Sequence, residues 1–517
     1  MYRECVAAAG AFGGDVSMKT KLVNRALVIW LAELLAFVPV YGSGARRAAP
    51  PAPAQTTQTA QTEQPLRSYL QKSYFELFQL APSLHFSTSQ IEAERKSLES
   101  SEDRCKNRFK DHEKQYKKQI ENERERLKKT SASLTPDQRN AMHCRIQNLE
   151  YLRSESEVLY RHAIPTAYDN LQAKLDLIEK WPAEYRETEQ ELKSGAYRNR
   201  RWGDVKDIGF REIASGQQDD IKTGQQAVEE MKRAGLLPPP IKEQAIQDYV
   251  NSVGQDIARH SDLKVPLHVT VLQSREINAF ALPGGYLFVQ RGLLEAADNE
   301  SELAGVLAHE IAHDTARHGH KLMKRATIAS IFFQAAQIAA IILTGGVAGI
   351  GTYYAIQYGF YGLGLVLNLQ LLGVSRDYEL QADQLGAQYA WNSGYDPAGF
   401  VKFFDKMATE KGYVNGVSWF RTHPPFYQRM VDAEREIMFL PPKPDMIVQT
   451  AAFEKMKAEL KPVTTAAEKE AAERPSLLIT RAEGCEPPEK LEYKPGQPIE
   501  DLCATPMRKV PAAKPQN

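Results

Sequence analysis

The chain has 517 residues, with Lys+Arg and Asp+Glu equal at 65 each. Its zero formal net charge excludes any global electrostatic argument for nucleic acid as a partner. The length leaves room for two or three domains and a sizeable core.

Lys19, Lys21 and Arg25 precede an apolar run from Ala26 to Val40, and Ser43-Gly44-Ala45 offers small residues for cleavage. Residues 1–45 are therefore expected to be a signal peptide, with Met18 as an alternative start, and the protein is expected to be exported. An uncleaved anchor is the competing reading, but the run is short for a bilayer. The Pro/Ala/Thr/Gln stretch of residues 46–65 has almost no large apolar residue and reads as a linker.

Residues 66–200 read as a helical coiled-coil arm. Ile91, Leu98, Cys105, Phe109, Tyr116, Ile120 and Leu127 are separated by sevens and fours only, a thin seam on a charged helix. Ser131 to Thr135 breaks the pattern, and Pro136 opens a second long helix at a position that tolerates proline. The arm is a candidate surface for a protein partner or for self-association. Once a signal is removed, Cys105, Cys144, Cys485 and Cys503 remain. Cys105 and Cys144 lie roughly 20 Å out of step in a straight hairpin, too far to bridge. Cys485–Cys503 meets no such objection.

Residues 201–440 carry the chemistry. Helices are expected over Asp219 to Ala234 and Ile241 to His260, and strands over Val265 to Gln273 and Gly285 to Gln290. Between the strands, Asn278, Ala279 and Phe280 begin an extended segment ended by Pro283-Gly284-Gly285. It could be an edge strand that grips a peptide substrate by its backbone, or an ordinary hairpin arm. Next comes His309-Glu310-Ile311-Ala312-His313. Asn299 is a candidate N-cap with Glu302 three residues on, and Leu303, Val306, Leu307 and Ile311 recur at helical spacing. On that helix His309 and His313 share one face, which suits two imidazoles on one Zn²⁺, and Glu310 can reach a water beside it as general base. Ala326 to Ser375 carries no charge and reads either as a membrane-contacting hairpin or as two buried helices. Glu379 and Asp383 then lie four apart on a helix; one can complete the zinc ligands while the other orients a ligand histidine.

The run from Gln217 to about Glu436 resembles the zinc metallopeptidases of the HtpX and CAAX prenyl protease I superfamily, in its secreted BepA-like branch. The resemblance rests on residues 278–285, Gly292-Leu293-Leu294, the His309 to His313 motif, Arg376 with Glu379 and Asp383, Gly394-Tyr395-Asp396-Pro397, and Thr422-His423-Pro424 with Arg429. It implies a zincin-like gluzincin domain, mostly α with a small β-sheet. It also implies zinc on His309, His313 and Glu379, Glu310 as base, Asp383 behind the ligands, and His423 and Arg429 on a loop at the site. His423 could take the fourth zinc position as a plug or donate to the oxyanion, as Arg429 could. Members of that branch carry tetratricopeptide repeats after the peptidase, whereas no 34-residue repeat occurs here and the helical arm comes first.

Residues 441–517 read as a proline-rich tail with a short helix over Thr450 to Glu473. Two functions are compatible with the whole. One is an exported, periplasmic zinc endopeptidase acting on misfolded or unassembled envelope proteins; the other is a chaperone-like assembly factor with a latent peptidase site.

Overall fold

The computed structural model describes residues 65–323, 376–409 and 427–510, apart from 212, 214, 234–236 and short stretches between 474 and 497. The expected signal peptide, the linker up to residue 64, the whole uncharged run 326–375 and His423 lie outside them.

After α1 (Tyr74–Leu80), Ser87 caps the 43-residue α2 (Thr88–Thr130) by accepting from the Gln90 amide, while Gln90 accepts from the Ser87 amide at 2.8 Å. The seam spaced by sevens and fours is buried from Ile91 to Ile120, and Leu127 is half-buried. Thr135 caps α3 (Pro136–Val158), with Pro136 at its first position. A π-helical turn, Leu159–Ala163, joins α3 to α4 (Ile164–Ser194). Pro165 has no N–H to give the preceding turn, and the widened turn accommodates that loss.

The seam is closed partly by the C-terminal tail, which lies back along the arm. Met507 and Val510 pack on the cluster of Tyr116, Ile120, Ile146, Leu149 and Leu152, and the Tyr116 hydroxyl donates to the Arg508 carbonyl at 2.9 Å. Cys105 is bonded to Cys503 and Cys144 to Cys485, across 398 and 341 residues. The Cys485–Cys503 pairing that the sequence left open is therefore not formed. Each tail cysteine meets an arm cysteine because the tail runs alongside the hairpin, a proximity no local spacing reveals.

Lys174 of α4, 4% exposed, donates to the carbonyls of Lys72 at 2.6 Å and Leu70 at 3.4 Å. Burial pushes its pKa down to about 8. Between pH 8 and its unfolded value near 10.5 the unfolded chain binds more protons, so this lysine's contribution to stability rises with pH and is lost as pH falls through 8. In urea melts the wild type is expected to gain roughly 3 kcal/mol on Lys174→Met over that window. A pH-independent difference would contradict the assignment.

In the peptidase region, α5 (Asp220–Arg233) and α6 (Gln244–Arg259) precede β1 (His268–Leu272), β2 (Ala279–Leu282) and β3 (Tyr286–Gln290). The sheet order is β1-β3-β2, with β1 parallel to β3 (His268 opposite Tyr286) and β2 antiparallel to it (Ala279 opposite Val289). That makes β2 an outer strand. The turn between β2 and β3 requires glycine: Gly284 and Gly285 have φ of 87° and 89°, and a Cβ on Gly285 would lie 2.0 Å from the Pro266 oxygen.

Helices follow as α7 (Arg291–Ala296), α8 (Glu300–Thr315), α9 (His318–Met323), α10 (Arg376–Asn392), α11 (Ala398–Thr409), α12 (Tyr427–Phe439), α13 (Ala451–Glu473) and α14 (Ile499–Ala504). The tail helix α13 occupies the range expected for it, and its Lys457 donates to the carbonyls of Leu294, Glu295 and Ala297 around the end of α7. Asp405 of α11 caps α1 from outside by accepting from the amides of Tyr74 and Phe75 at 2.9 and 3.0 Å. One apolar cluster runs from Leu77, Leu98 and Trp181 of the arm through Val250 and Leu287 to Val306, Phe403 and Phe453. The fold is mostly helical with a small sheet, as expected. Among the described residues no helix is long and apolar enough to cross a membrane.

Candidate metal centre

α8 is covered on every face. Leu303, Val306, Leu307 and Ile311 are buried as their spacing predicts, and among its sixteen residues only His313 is not buried. Asn299 accepts from the Glu302 amide at 3.0 Å. Glu302 accepts from the Asp298 amide at 3.0 Å, so the reciprocal cap is one residue wider than the spacing suggests. α10 crosses α8 at backbone distance: a Cβ on Gly386 would lie 2.9 Å from the His309 nitrogen.

That crossing brings one carboxylate to two imidazoles. His309 Nε2 lies 3.0 Å from His313 Nε2, and Glu379 Oε1 and Oε2 lie 3.4 Å from His313 Nε2 and 3.7 Å from His309 Nε2. Ligands held at zinc's usual 2.0–2.1 Å in a tetrahedron are separated by about 3.3 Å, so these spacings are close to the edges of such a tetrahedron. Among the described residues His309, His313 and Glu379 are the group that could hold a metal ion. The donor set, two nitrogens and one carboxylate oxygen, suits a borderline cation.

The ligand atoms are held from behind. Asp383 Oδ1 lies 2.9 Å from His309 Nδ1, where it accepts the ring proton and leaves Nε2 as the lone-pair nitrogen. Burial alone would raise the Asp383 carboxyl, but Arg429 and His309 outweigh it and hold it below the usual carboxylate range. Arg429 donates to Asp383 through Nε at 2.7 Å and Nη2 at 2.6 Å, and its Nη1 lies 2.9 Å from Glu379 Oε2. Its guanidinium, expected as an oxyanion donor, thus bridges the two carboxylates of α10. Phe400 stacks on His309 with centroids 5.1 Å apart.

Glu310 is buried and accepts from the Ala281 amide at 3.1 Å. Since the Asn278 carbonyl accepts from Gln290 of β3 and the Ala281 amide turns to α8, the outer edge of β2 faces the centre. One helical turn on, Asp314 accepts from the Gly284 amide at 3.2 Å, and burial first, then Asp220, pushes its pKa up to about 7. Asn278 is fully buried. Phe280 packs with Phe288, Val228 and Met231 in a separate cluster, so its side chain is core and only the backbone of β2 is presented.

Sequence reasoning missed three residues here. Besides Asp314 they are His318 and Gln381: His318 Nδ1 lies 2.8 Å from His313 Nδ1, and Gln381 Oε1 lies 3.0 Å from His318 Nε2. Burial pushes His318 down to about 4, so its ring is neutral at pH 7. His318 stands five residues after His313, off the helical spacing that drew attention to the motif. A third histidine so close was the available signal.

Two imidazoles on one helix, a carboxylate on the helix crossing it and a glutamate beside them make up the donor set that a metallopeptidase requires. Residues 244–437 match Peptidase family M48, so the chain carries an M48 peptidase domain. The beta-barrel assembly-enhancing protease of Yersinia pestis is 31% identical over 227 residues, 42% of this chain and 44% of that protein. The Escherichia coli (strain K12) protein of that name is 29% identical over 221 residues, 41% and 42% of the two chains. The mitochondrial metalloendopeptidase OMA1 of Schizosaccharomyces pombe is 33% identical over 172 residues, 33% and 46% of the two chains. The similarity spans less than half the length of each of these relatives.

Proposed function

We propose that this protein is an exported zinc endopeptidase that hydrolyses misfolded or unassembled envelope proteins. The observation that carries the reading is the convergence of His309 Nε2, His313 Nε2 and the Glu379 carboxylate. Zn²⁺ held by these three residues would supply a Lewis acid that acidifies water and polarises a peptide carbonyl. Asp383 keeps the His309 ring oriented, and Arg429 holds Asp383 and Glu379 in place. On the outer edge of β2 the Ala279 backbone and the Ala281 carbonyl pair with the backbone of a bound peptide, a mode of binding that tolerates loose sequence preference. Glu310, beside that edge, takes the proton of the attacking water and passes it to the leaving amine. His423 remains the candidate plug or oxyanion donor.

Two disulfides joining distant parts of the chain support export, since such bonds persist in oxidising compartments. The relatives' name, beta-barrel assembly-enhancing protease, supports β-barrel proteins as clients. The same word keeps a second reading in view, an assembly factor whose arm binds clients while the peptidase site is latent.

The ligand assignment has a direct test. His313→Ala and Glu379→Ala should each purify with well under one zinc per chain by elemental analysis, while the fold, read by circular dichroism, is kept. Full zinc occupancy in either variant would remove that residue from the ligand set.

A further inference from the structure

We infer that His318 is a positioning residue: with Gln381 it fixes the tautomer of His313, so that His313 turns a lone pair, and not a proton, toward the metal position. This rests on the metal centre proposed above. Gln381 Oε1 can only accept, and it lies 3.0 Å from His318 Nε2, so that nitrogen carries the proton. A ring 1% exposed, whose hydrogen-bond partners are an uncharged amide and another imidazole, carries a single proton, so Nδ1 is the acceptor. It faces His313 Nδ1 at 2.8 Å, so His313 Nδ1 must donate, which leaves His313 Nε2 with its lone pair. That atom is the one directed at His309 Nε2 and Glu379. The opposite tautomer would put a proton on His313 Nε2 and close it to a metal.

The surroundings of His318 hold it to this task. Its ring is 1% exposed and stacks on Tyr378 of α10, with centroids 4.4 Å apart and planes 11° apart. The chain returns to His313 because Arg317 adopts φ 55°, the left-handed region, where a side chain is strained. Two contacts from its guanidinium to Asp220 of α5, at 2.6 and 2.7 Å, and one to the Ser215 carbonyl hold that conformation. A strained residue, clamped by a buried carboxylate, thus places His318 against the ligand. The two ligand histidines are oriented by different means: His309 by the charged Asp383, His313 by an uncharged His–Gln pair.

The test is zinc affinity of the full chain, measured by competition with a chromophoric chelator and without any substrate. His318→Ala removes the acceptor and should weaken Zn²⁺ binding about 10–100-fold. His318→Asn places an amide oxygen where Nδ1 stood and should stay within about threefold of wild type. Gln381→Leu leaves the His318 proton unassigned and should fall between them. Melting of the metal-free variants should be close to that of the metal-free wild type, because a residue that acts only on the tautomer shows its loss only when metal binds. Wild-type affinity in His318→Ala, or equal losses in the Ala and Asn variants, would overturn the inference. A wild type that binds no Zn²⁺ would overturn it together with the metal centre. Since no substrate is present, failure of the peptidase reading leaves a separate signature.

Discussion

Glu310→Gln is expected to lower protein cleavage by at least 10²-fold, the usual range for losing a general base being about 10²–10⁴. Zinc content should stay near one per chain. The glutamine is isosteric and neutral and cannot take a proton from water, so the chemical step should fail while binding survives. The geometry makes this a clean substitution. Glu310 is not among the three convergent ligand residues, and its hydrogen bond from the Ala281 amide can be kept by the glutamine carbonyl. Cleavage of casein under saturating substrate, beside elemental analysis, reads both parts. Comparable turnover by the glutamine variant would show that another group acts as base.

The second large effect is on stability. Arg429, 4% exposed, holds Asp383 and Glu379, each 2% exposed. Arg429→Met removes the cation and leaves two carboxylates in the interior without it, a change worth roughly 3–5 kcal/mol. In the metal-free protein the midpoint of thermal unfolding should fall on the order of 10 °C. Arg429→Lys keeps the charge but loses the fork that spans both carboxylates, and should lie between. Zinc should rescue part of the Met variant's loss, because Glu379 then has a cation of its own. A melting point equal to wild type would show that the buried carboxylates do not depend on Arg429.

The parts of this fold that were legible are those written in local spacing. The buried stripe of α8 and the seam of α2 follow from periods of 3.6 and 3.5, the N-cap at Asn299 and the entry of α3 at Pro136 from capping chemistry, and the strands flanking residues 279–282 from their β-branched and aromatic residues. That one of Glu379 and Asp383 meets the two histidines was readable from their spacing, and that it is Glu379 only from the resemblance; the crossing itself was not readable, since it depends on small residues such as Gly386 that carry no periodic signal. What was not legible depends on contacts across the chain. The tail's path along the arm and its two disulfides link residues hundreds of positions apart. His318 reaches His313 only because Arg317 leaves helical geometry, and that turn is set by Asp220, 97 residues earlier. Phe280 looked like a substrate contact by its place in the edge segment. The pleat sends its side chain to the cluster with Val228 instead.

In the function proposed above, this centre holds zinc and cuts peptide bonds with it. The most direct measurement is casein cleavage by the purified full chain, before chelation, after chelation and after zinc is restored, with metal content read at each stage. About one zinc per chain, activity lost on its removal and regained on its return is the predicted result. Cleavage that persists in the metal-free protein would contradict the account.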